Sequence, residues 1–466
     1  MKSIIYQMLP RLWGNGKFSS IDAGSLEYVK GLGAHYIWYT GVIRHATSAT
    51  EKVVKGDAGS PYAIVDYYDV NAYLADNSAM RMEEFLELVE RTHKAGLKVI
   101  IDFVPNHVAR ENVNLGKEDD KTVHWKAEND FFYYPGEELK LPAKTNYKEV
   151  PAKASGNAFT SAPDINDWWE TVRINYCDFH TRTWDKMLDI VRFWAGKGVD
   201  GFRCDMVEMV PPQFMKWLIG KIKQEFPQII FIAEVYQKDK YRMYEEEVGF
   251  DLLYDKCGLY DTLRAVSCSG ASATGITRDW QFLGDLQPHM LNFLENHDEQ
   301  RLASDFFCGS PERGYAALAV SLLWNTAPFM LYFGQEAGER GMDKEGFSGL
   351  DGRTSIFDWA AKHFGPGKVL EAYRELLEMA NKPAFAEGQS YDLCYCQDGA
   401  FNPDRHFAWL RSDGKETFLL VANFGPEADI TLRIPPEALD FLGIKAVRTV
   451  YSVSVKAFGY AIVSVQ

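Results

Sequence analysis

A chain of 466 residues, 46% hydrophobic and 25% charged, is too long for one core and too apolar to be disordered, so about two or three domains are expected. A net charge of -15 with a pI near 5.2 argues against a nucleic-acid partner, because phosphate backbones are bound by clustered cations. No apolar stretch reaches membrane-span length, and polar and basic residues interrupt the opening MKSIIYQMLPRLW too early for a secretory leader, so the expectation is no membrane and a cytoplasmic location.

In chain order, short apolar runs with the length of buried strands recur: SIIYQML (3–9), AHYIWYT (34–40), LKVIIDFV (97–104), GVDGFRCD (198–205), QIIFIAEV (228–235), FDLLYD (250–255), MLNFLENHD (290–298) and PFMLYFGQE (328–336). Helical patterns lie between most of them. MEEFLELVERTHKAG sets Phe85, Leu86 and Val89 on one side and stops at Gly96, and TWDKMLDIVRFWAGKG repeats the design. Strands alternating with helices predict parallel βα units, and eight of them predict a closed (β/α)8 barrel. An open doubly wound sheet is the alternative, although no glycine-rich dinucleotide loop follows the first run.

Two regions break the rhythm. Residues 108–165 are polar and aperiodic, too long for an ordinary βα loop, and read as a subdomain inserted after strand three. From about 385 the pattern turns to HFAWLRS, TFLLVANF, ITLRIP, AVRTVYS and YAIVSV, which predicts an antiparallel β domain, a sandwich. The resulting division is 1–107 and 166–384 for the barrel, 108–165 for the insertion and 385–466 for the C-terminal unit. The seven cysteines (177, 204, 257, 268, 308, 394, 396) lack metal-type spacing, and free, mostly buried thiols in a reducing compartment are expected.

Chemistry in such barrels gathers at the C-terminal ends of the strands. Four strand ends here carry polar groups that an apolar run does not call for: Asp102 to Asn106-His107, Arg203-Cys-Asp205, Glu234, and Asn296-His297-Asp298. Arg203 and Asp205 are two apart and face the same way, so the guanidinium should hold Asp205 ionised, as a nucleophile requires. Glu234 has no cation near it in sequence; burial and neighbouring anions should raise its pKa, as suits a general acid. Two carboxyl groups in opposed environments are the machinery of glycoside cleavage, and Asp298 would support positive charge on the sugar ring. A lone strand-end Asp is more often a helix cap or an ion-pair partner, but four such ends on one barrel are poorly explained that way.

These residues resemble the α-amylase family, glycoside hydrolase family 13. DFVPNH (102–107), GFRCD (201–205), AEV (233–235) and ENHD (295–298) match its four barrel motifs in order, and GSPYAIVDYYDVN (59–71), APDIN (162–166) and YFGQE (332–336) match secondary ones. The resemblance implies a retaining enzyme acting on α-glucosidic bonds, mainly α-1,4, of maltooligosaccharides or a related α-glucan. It assigns Asp205 as nucleophile, Glu234 as acid/base and Asp298 as transition-state stabiliser. Tyr62 would stack under the sugar, and His107, Arg203, His297 and Arg353 would bind its hydroxyls.

The resemblance further implies one structural calcium, held by Asn106 and Asp164 with the main-chain oxygen of Met209, and no organic cofactor. Against the ion stands PDIN, the version common in α-glucosidases and oligo-1,6-glucosidases, relatives that often do without it. Glu208-Met209 replaces the Lys-His of many α-amylases, which leaves recognition beyond the cleavage site open. A 4-α-glucanotransferase of the same chemistry is one alternative. A catalytically silent binding subunit is another, but it would be expected to have lost the acidic triad.

Overall fold

The structure, a computed structural model, describes residues 2–177, 182–342, 351–359, 367, 369–445 and 448–465. The eight apolar runs form eight parallel strands of a closed barrel: β1 (Ile4–Met8), β2 (Tyr36–Tyr39), β3 (Lys98–Phe103), β4 (Gly201–Cys204), β5 (Ile230–Ala233), β6 (Leu252–Tyr254), β7 (Met290–Phe293) and β8 (Phe329–Tyr332). Ile4 lies opposite Phe329, so β8 closes on β1 and the open-sheet alternative is overturned. Around the barrel the order is β1-β8-β7-β6-β5-β4-β3-β2, which sets β5 directly across from β1. The strands are buried on both faces, as parallel strands enclosed by helices must be. At Gly201 an added Cβ would lie 2.7 Å from Ile230 Cγ1, so β4 and β5 approach too closely there for a side chain.

The helix Arg81–Lys94 buries Phe85, Leu88, Val89 and Thr92, a stripe at i, i+3, i+4 and i+7; Leu86, expected on that stripe, is only half-buried. Glu83 and Glu84 in its first turn and Arg91, His93 and Lys94 in its last turn oppose the helix dipole. Helix Arg182–Gly196 buries Trp184, Met187, Leu188, Val191 and Trp194 in the same manner. After β5 the chain makes two short helical turns, Lys238–Lys240 and Met243–Val248, before β6.

Three excursions leave the barrel. Between β2 and its helix, Ile43–His45 pairs antiparallel with Ile64–Val70. Between β3 and β4, His107–Ala109 pairs with Thr171–Arg173, setting His107 opposite Arg173, and Tyr133–Tyr134 pairs with Ala152–Lys153. C-terminal to the barrel, Gln389–Asp392, His406–Ser412, Thr417–Asn423 and Tyr460–Ser464 form an antiparallel sheet, with Ala428–Arg433 and Val450–Val455 as a second one. The strands 406–412 and 417–423 do not alternate between core and solvent. Leu410, Leu419 and Val421 face the second sheet, while Phe407, Trp409 and Leu420 join the barrel's core, so both faces are buried.

All seven cysteines are free, but burial differs from expectation: Cys204 and Cys308 are buried, Cys177 and Cys268 are exposed, and the other three are intermediate. No helix among the described residues is long and apolar enough to cross a membrane.

Candidate active site

The four polar strand ends converge on one side chain. Arg203 is fully buried at the top of β4, and its guanidinium reaches Asp205 Oδ1 at 2.7 Å through Nη1 and Glu234 Oε1 at 2.9 Å through Nη2. Asp298 Oδ2 stands 4.0 Å from Nη2, and Asp102 Oδ1 stands 3.7 Å from Nη1. The rings of Trp38, Tyr62 and Tyr254 lie 5.3–5.6 Å from the guanidinium carbon, and the Nε donates to the Tyr254 hydroxyl at 3.3 Å. A planar cation with several donors can bridge carboxylates in this way where a lysine could not.

Glu234 is held on both oxygens. Oε1 accepts from the Tyr236 hydroxyl at 2.6 Å, and Oε2 accepts from the Met206 N–H at 2.7 Å, where Met206 adopts a left-handed φ of 47°. The expectation of a cation-free Glu234 is therefore corrected. Arg203 belongs to another strand, and only the closure of β4 on β5 (Arg203 opposite Ile232) brings it there. The expectation for Asp205 is also reversed. Burial and the Glu234 charge push its pKa well above the usual carboxylate range, against the lowering by Arg203.

Asp298 behaves oppositely. Burial pushes it up, but His297, Arg203 and Arg353 outweigh that and hold it down at about 2. Its carboxylate lies 3.0 Å from His297 Nε2. Asn296 presents it by accepting the Asp298 and Glu299 N–H groups on its side-chain oxygen, a local turn that aims the chain back across the barrel mouth. His297 is fixed by Gln7 Nε2 at 2.8 Å from its Nδ1 and by the Tyr62 hydroxyl on its Nε2, and the Tyr62 ring stacks on it at 5.2 Å. His107 Nε2 stands 4.0 Å from Asp205 Oδ2, and its pKa is depressed to about 3 by burial and by Arg173, Arg203 and Lys55. It is a neutral imidazole at pH 7.

Together these groups line a cavity of about 560 Å³ that also includes Lys55, Trp168, Glu170, Tyr236 and Arg353. Asp205, Glu234, Asp298, Tyr62, His107, His297 and Arg353 all face it, and Arg203 sits directly beneath. Glu295, the first residue of ENHD, is elsewhere: buried, bonded to Arg301 at 2.8 Å and pushed up to about 7 by burial. Sequence reasoning missed Tyr236 and Gln7. Tyr236 carries the same period-two signal as Arg203 and Asp205, lying two residues beyond Glu234, and Gln7 is a polar residue inside an apolar strand.

The residues expected to bind calcium do not fit the ion. Asp164 is exposed, and its carboxylate caps its own turn by accepting from the Asn166 and Asp167 N–H groups. Asn106 is buried, and its side-chain nitrogen lies on the Gly156 carbonyl at 3.0 Å, with His107 Nδ1 at 3.2 Å and Met209 Sδ at 3.5 Å. The carbonyls of Gly156 and Met209, which would face a cation, accept instead from Arg173 at 3.2 and 3.0 Å. Among the described residues no group of three or more His, Cys, Asp or Glu side chains is placed to hold a metal.

Residues 16–367 match the family described as alpha amylase, catalytic domain. Among curated relatives, alpha-amylase MalA of Haloarcula japonica is 26% identical over 91% of this chain, and neopullulanase 2 of Thermoactinomyces vulgaris is 22% identical over 82%. The chain spans 56% and 63% of those two proteins. A maltogenic alpha-amylase AmyB from Thermotoga neapolitana superposes with a TM-score of 0.70 at 22% identity, covering 99% of this chain and 96% of that one. The alpha-amylase from Geobacillus thermoleovorans complexed with acarbose gives 0.71 at 17% identity, covering 100% and 98%, and both likenesses speak for the fold. With the family match running through every barrel strand from β2 to β8, the chain belongs to the alpha-amylase family of glycoside hydrolases, family 13.

Proposed function

We propose that this chain hydrolyses α-glucosidic bonds, mainly α-1,4, of maltooligosaccharides or a related α-glucan, with retention of configuration. The observation that carries the reading is the sharing of one buried guanidinium by Asp205 and Glu234 beneath a cavity that Asp298 also faces. Two carboxylates sharing one guanidinium suit a nucleophile and an acid acting side by side. Asp205 Oδ attacks the anomeric carbon as the bond to the leaving oxygen breaks, and Glu234 gives that oxygen its proton. A water then attacks the same carbon, Glu234 takes the water's proton, and Asp205 leaves.

Asp298, held ionised at the cleft, stabilises positive charge on the ring in both steps. The bond from Arg203 favours the ionised nucleophile once the proton sits on Glu234. Tyr62 is the ring platform, and His107, His297 and Arg353 contact hydroxyls. Residues 108–165 act as a separate insertion and 385–466 as a non-catalytic unit, in a reducing cytoplasm where the thiols stay free. Arg173 takes the role of the structural ion between insertion and barrel.

Trapping with a slow fluorinated α-glucosyl substrate, followed by peptide mass mapping, tests the reading. A covalent adduct on Asp205 is expected, and an adduct elsewhere, or none during turnover, overturns it. Product analysis on maltotriose to maltoheptaose separates hydrolysis from glucosyl transfer.

A further inference from the structure

Two segments line the side of the cavity away from Glu234. The segment after β2 and the segment after β8 meet there and line the same space, through Lys55, Ser60 and Tyr62 from one and Arg353, Ile356 and Phe357 from the other. They are joined main chain to main chain, the Ala58 N–H donating to the Phe357 carbonyl at 2.8 Å. The join is tight: a Cβ at Gly56 would lie 2.4 Å from the Phe357 oxygen, at a φ of 66° that side chains rarely adopt. Arg11, just beyond β1, supports the wall from below by donating to the carbonyls of Ile356, at 3.0 Å, and of Asp358. Lys55 extends it to the insertion, donating to the Asp167 carbonyl at 2.8 Å and standing 3.3 Å from Glu170. These bonds tie the described residues 353–358 above β8 to the segments after β1 and β2, and the latter to the insertion above β3.

Barrel order gives this wall a direction. Glu234 tops β5, four strands from β1 either way round, so the wall stands across the mouth from the acid. The acid must touch the leaving oxygen, so the leaving part of a glucan lies on the Glu234 and Tyr236 side. The sugar bonded to Asp205 keeps whatever chain extends towards the non-reducing end, and that part is directed at the wall. Resting on the hydrolase reading above, we infer that the enzyme is exo-acting. It takes glucan chains by their non-reducing ends, and the Gly56–Ala58 contact with Phe357 is the specificity element that refuses internal segments.

The test uses reducing-end-labelled maltoheptaose beside the same compound with its non-reducing end blocked as the 4,6-O-ethylidene acetal, products being followed by chromatography. The expected result is cleavage of the free-ended substrate and a rate slower by about tenfold or more on the blocked one, since a clash of that kind is worth at least about 1.4 kcal/mol. Gly56→Ala, which drives the two segments apart, and Phe357→Ala, which thins the wall and leaves the backbone in place, should each narrow that ratio. A smaller difference in the wild type, or no narrowing in either folded variant, overturns the inference. Failure to cleave both substrates overturns the hydrolase reading beneath it instead, and the exo assignment falls with it.

Discussion

Arg203 and Arg411 are both fully buried arginines, and they differ in what surrounds them. At the barrel mouth Arg203 meets carboxylates and phenols. Burial lowers its pKa, but Glu234, Tyr254, Tyr62 and Asp205 more than restore it, to well above the ordinary value. Where the C-terminal sheet docks on the barrel, Arg411 meets neutral oxygens: the carbonyls of Ala384, Phe385 and Trp324 and the hydroxyl of Ser390. Burial there depresses it to about 9. A cation surrounded by carbonyls ties backbone ends together, whereas one surrounded by carboxylates sets protonation states. Arg173, on the carbonyls of Gly156 and Met209, belongs with Arg411.

The comparison is broken most sharply at the carboxylates themselves. Asp205→Asn and Glu234→Gln should each lower kcat by about 10⁴-fold or more, the scale of losing one member of a catalytic unit. Steady-state rates on maltoheptaose check this, and near-normal turnover of either variant would refute the assigned roles. Arg203→Lys comes next. It keeps the charge but cannot bridge Asp205 and Glu234 together, so a loss of about 10²- to 10³-fold in kcat is expected with the melting midpoint little changed.

Arg411→Leu should do the reverse. It leaves the carbonyls of Ala384 and Phe385 without their donor, at about 1 kcal/mol or more each, while Trp324 keeps the Ser390 hydroxyl. A loss of about 2 kcal/mol in urea unfolding is expected, with kcat unaltered in the protein that remains folded. Equal effects of the Arg203 and Arg411 substitutions on activity would erase the distinction drawn between them.

How much of this could be read beforehand divides along the same line. The eight strands were legible because each is a short apolar run bounded by a helix pattern, and Arg203 was legible because it lies two residues from Asp205. What sequence spacing could not supply is contact between strands. Arg203 reaches Glu234 only because β4 lies beside β5 with Arg203 opposite Ile232, and neither the cation beside Glu234 nor the Glu234 charge that helps raise Asp205 is visible along the sequence. Arg173 was missed because its partners are main-chain oxygens far along the chain at Gly156 and Met209, which carry no residue-type signal. The double burial of strands 406–412 and 417–423 was not legible, because docking on the barrel covers the side that a strand pattern assigns to solvent.

A smaller effect sharpens the electrostatic half of the comparison. Asp205 has a raised pKa in the folded state, so its favourable contribution is fully present below its unfolded value of about 4 and is lost as pH rises through the folded value. Asp205→Asn removes that pH-dependent loss, because an amide does not ionise. The variant should be more stable than the wild type by about 1 kcal/mol at pH 7, the gain declining towards zero near pH 4. Urea midpoints measured at both pH values check it. A variant destabilised at pH 7 would mean that the bond to Arg203 outweighs burial.

The smallest expected effect is none at all. A calcium ion between insertion and barrel would need about six to eight oxygen ligands, with carboxylates prominent among them. The oxygens available beside Asn106 are the Gly156 and Met209 carbonyls, and a guanidinium already lies on both, carrying the positive charge an ion would bring. Asp164, the expected carboxylate, is turned to solvent and occupied with its own loop. Excess chelator should therefore leave both the melting midpoint and kcat unchanged. Arg173→Met should lower the midpoint, because it orphans the Met209 carbonyl at about 1 kcal/mol and leaves that of Gly156 with Asn106 alone, and added calcium should not restore it, since removing the guanidinium supplies no carboxylate. A fall in melting temperature on chelation of the wild type would show that an ion shares this joint with Arg173. Recovery of Arg173→Met by calcium would show that the carbonyls alone are enough to hold one.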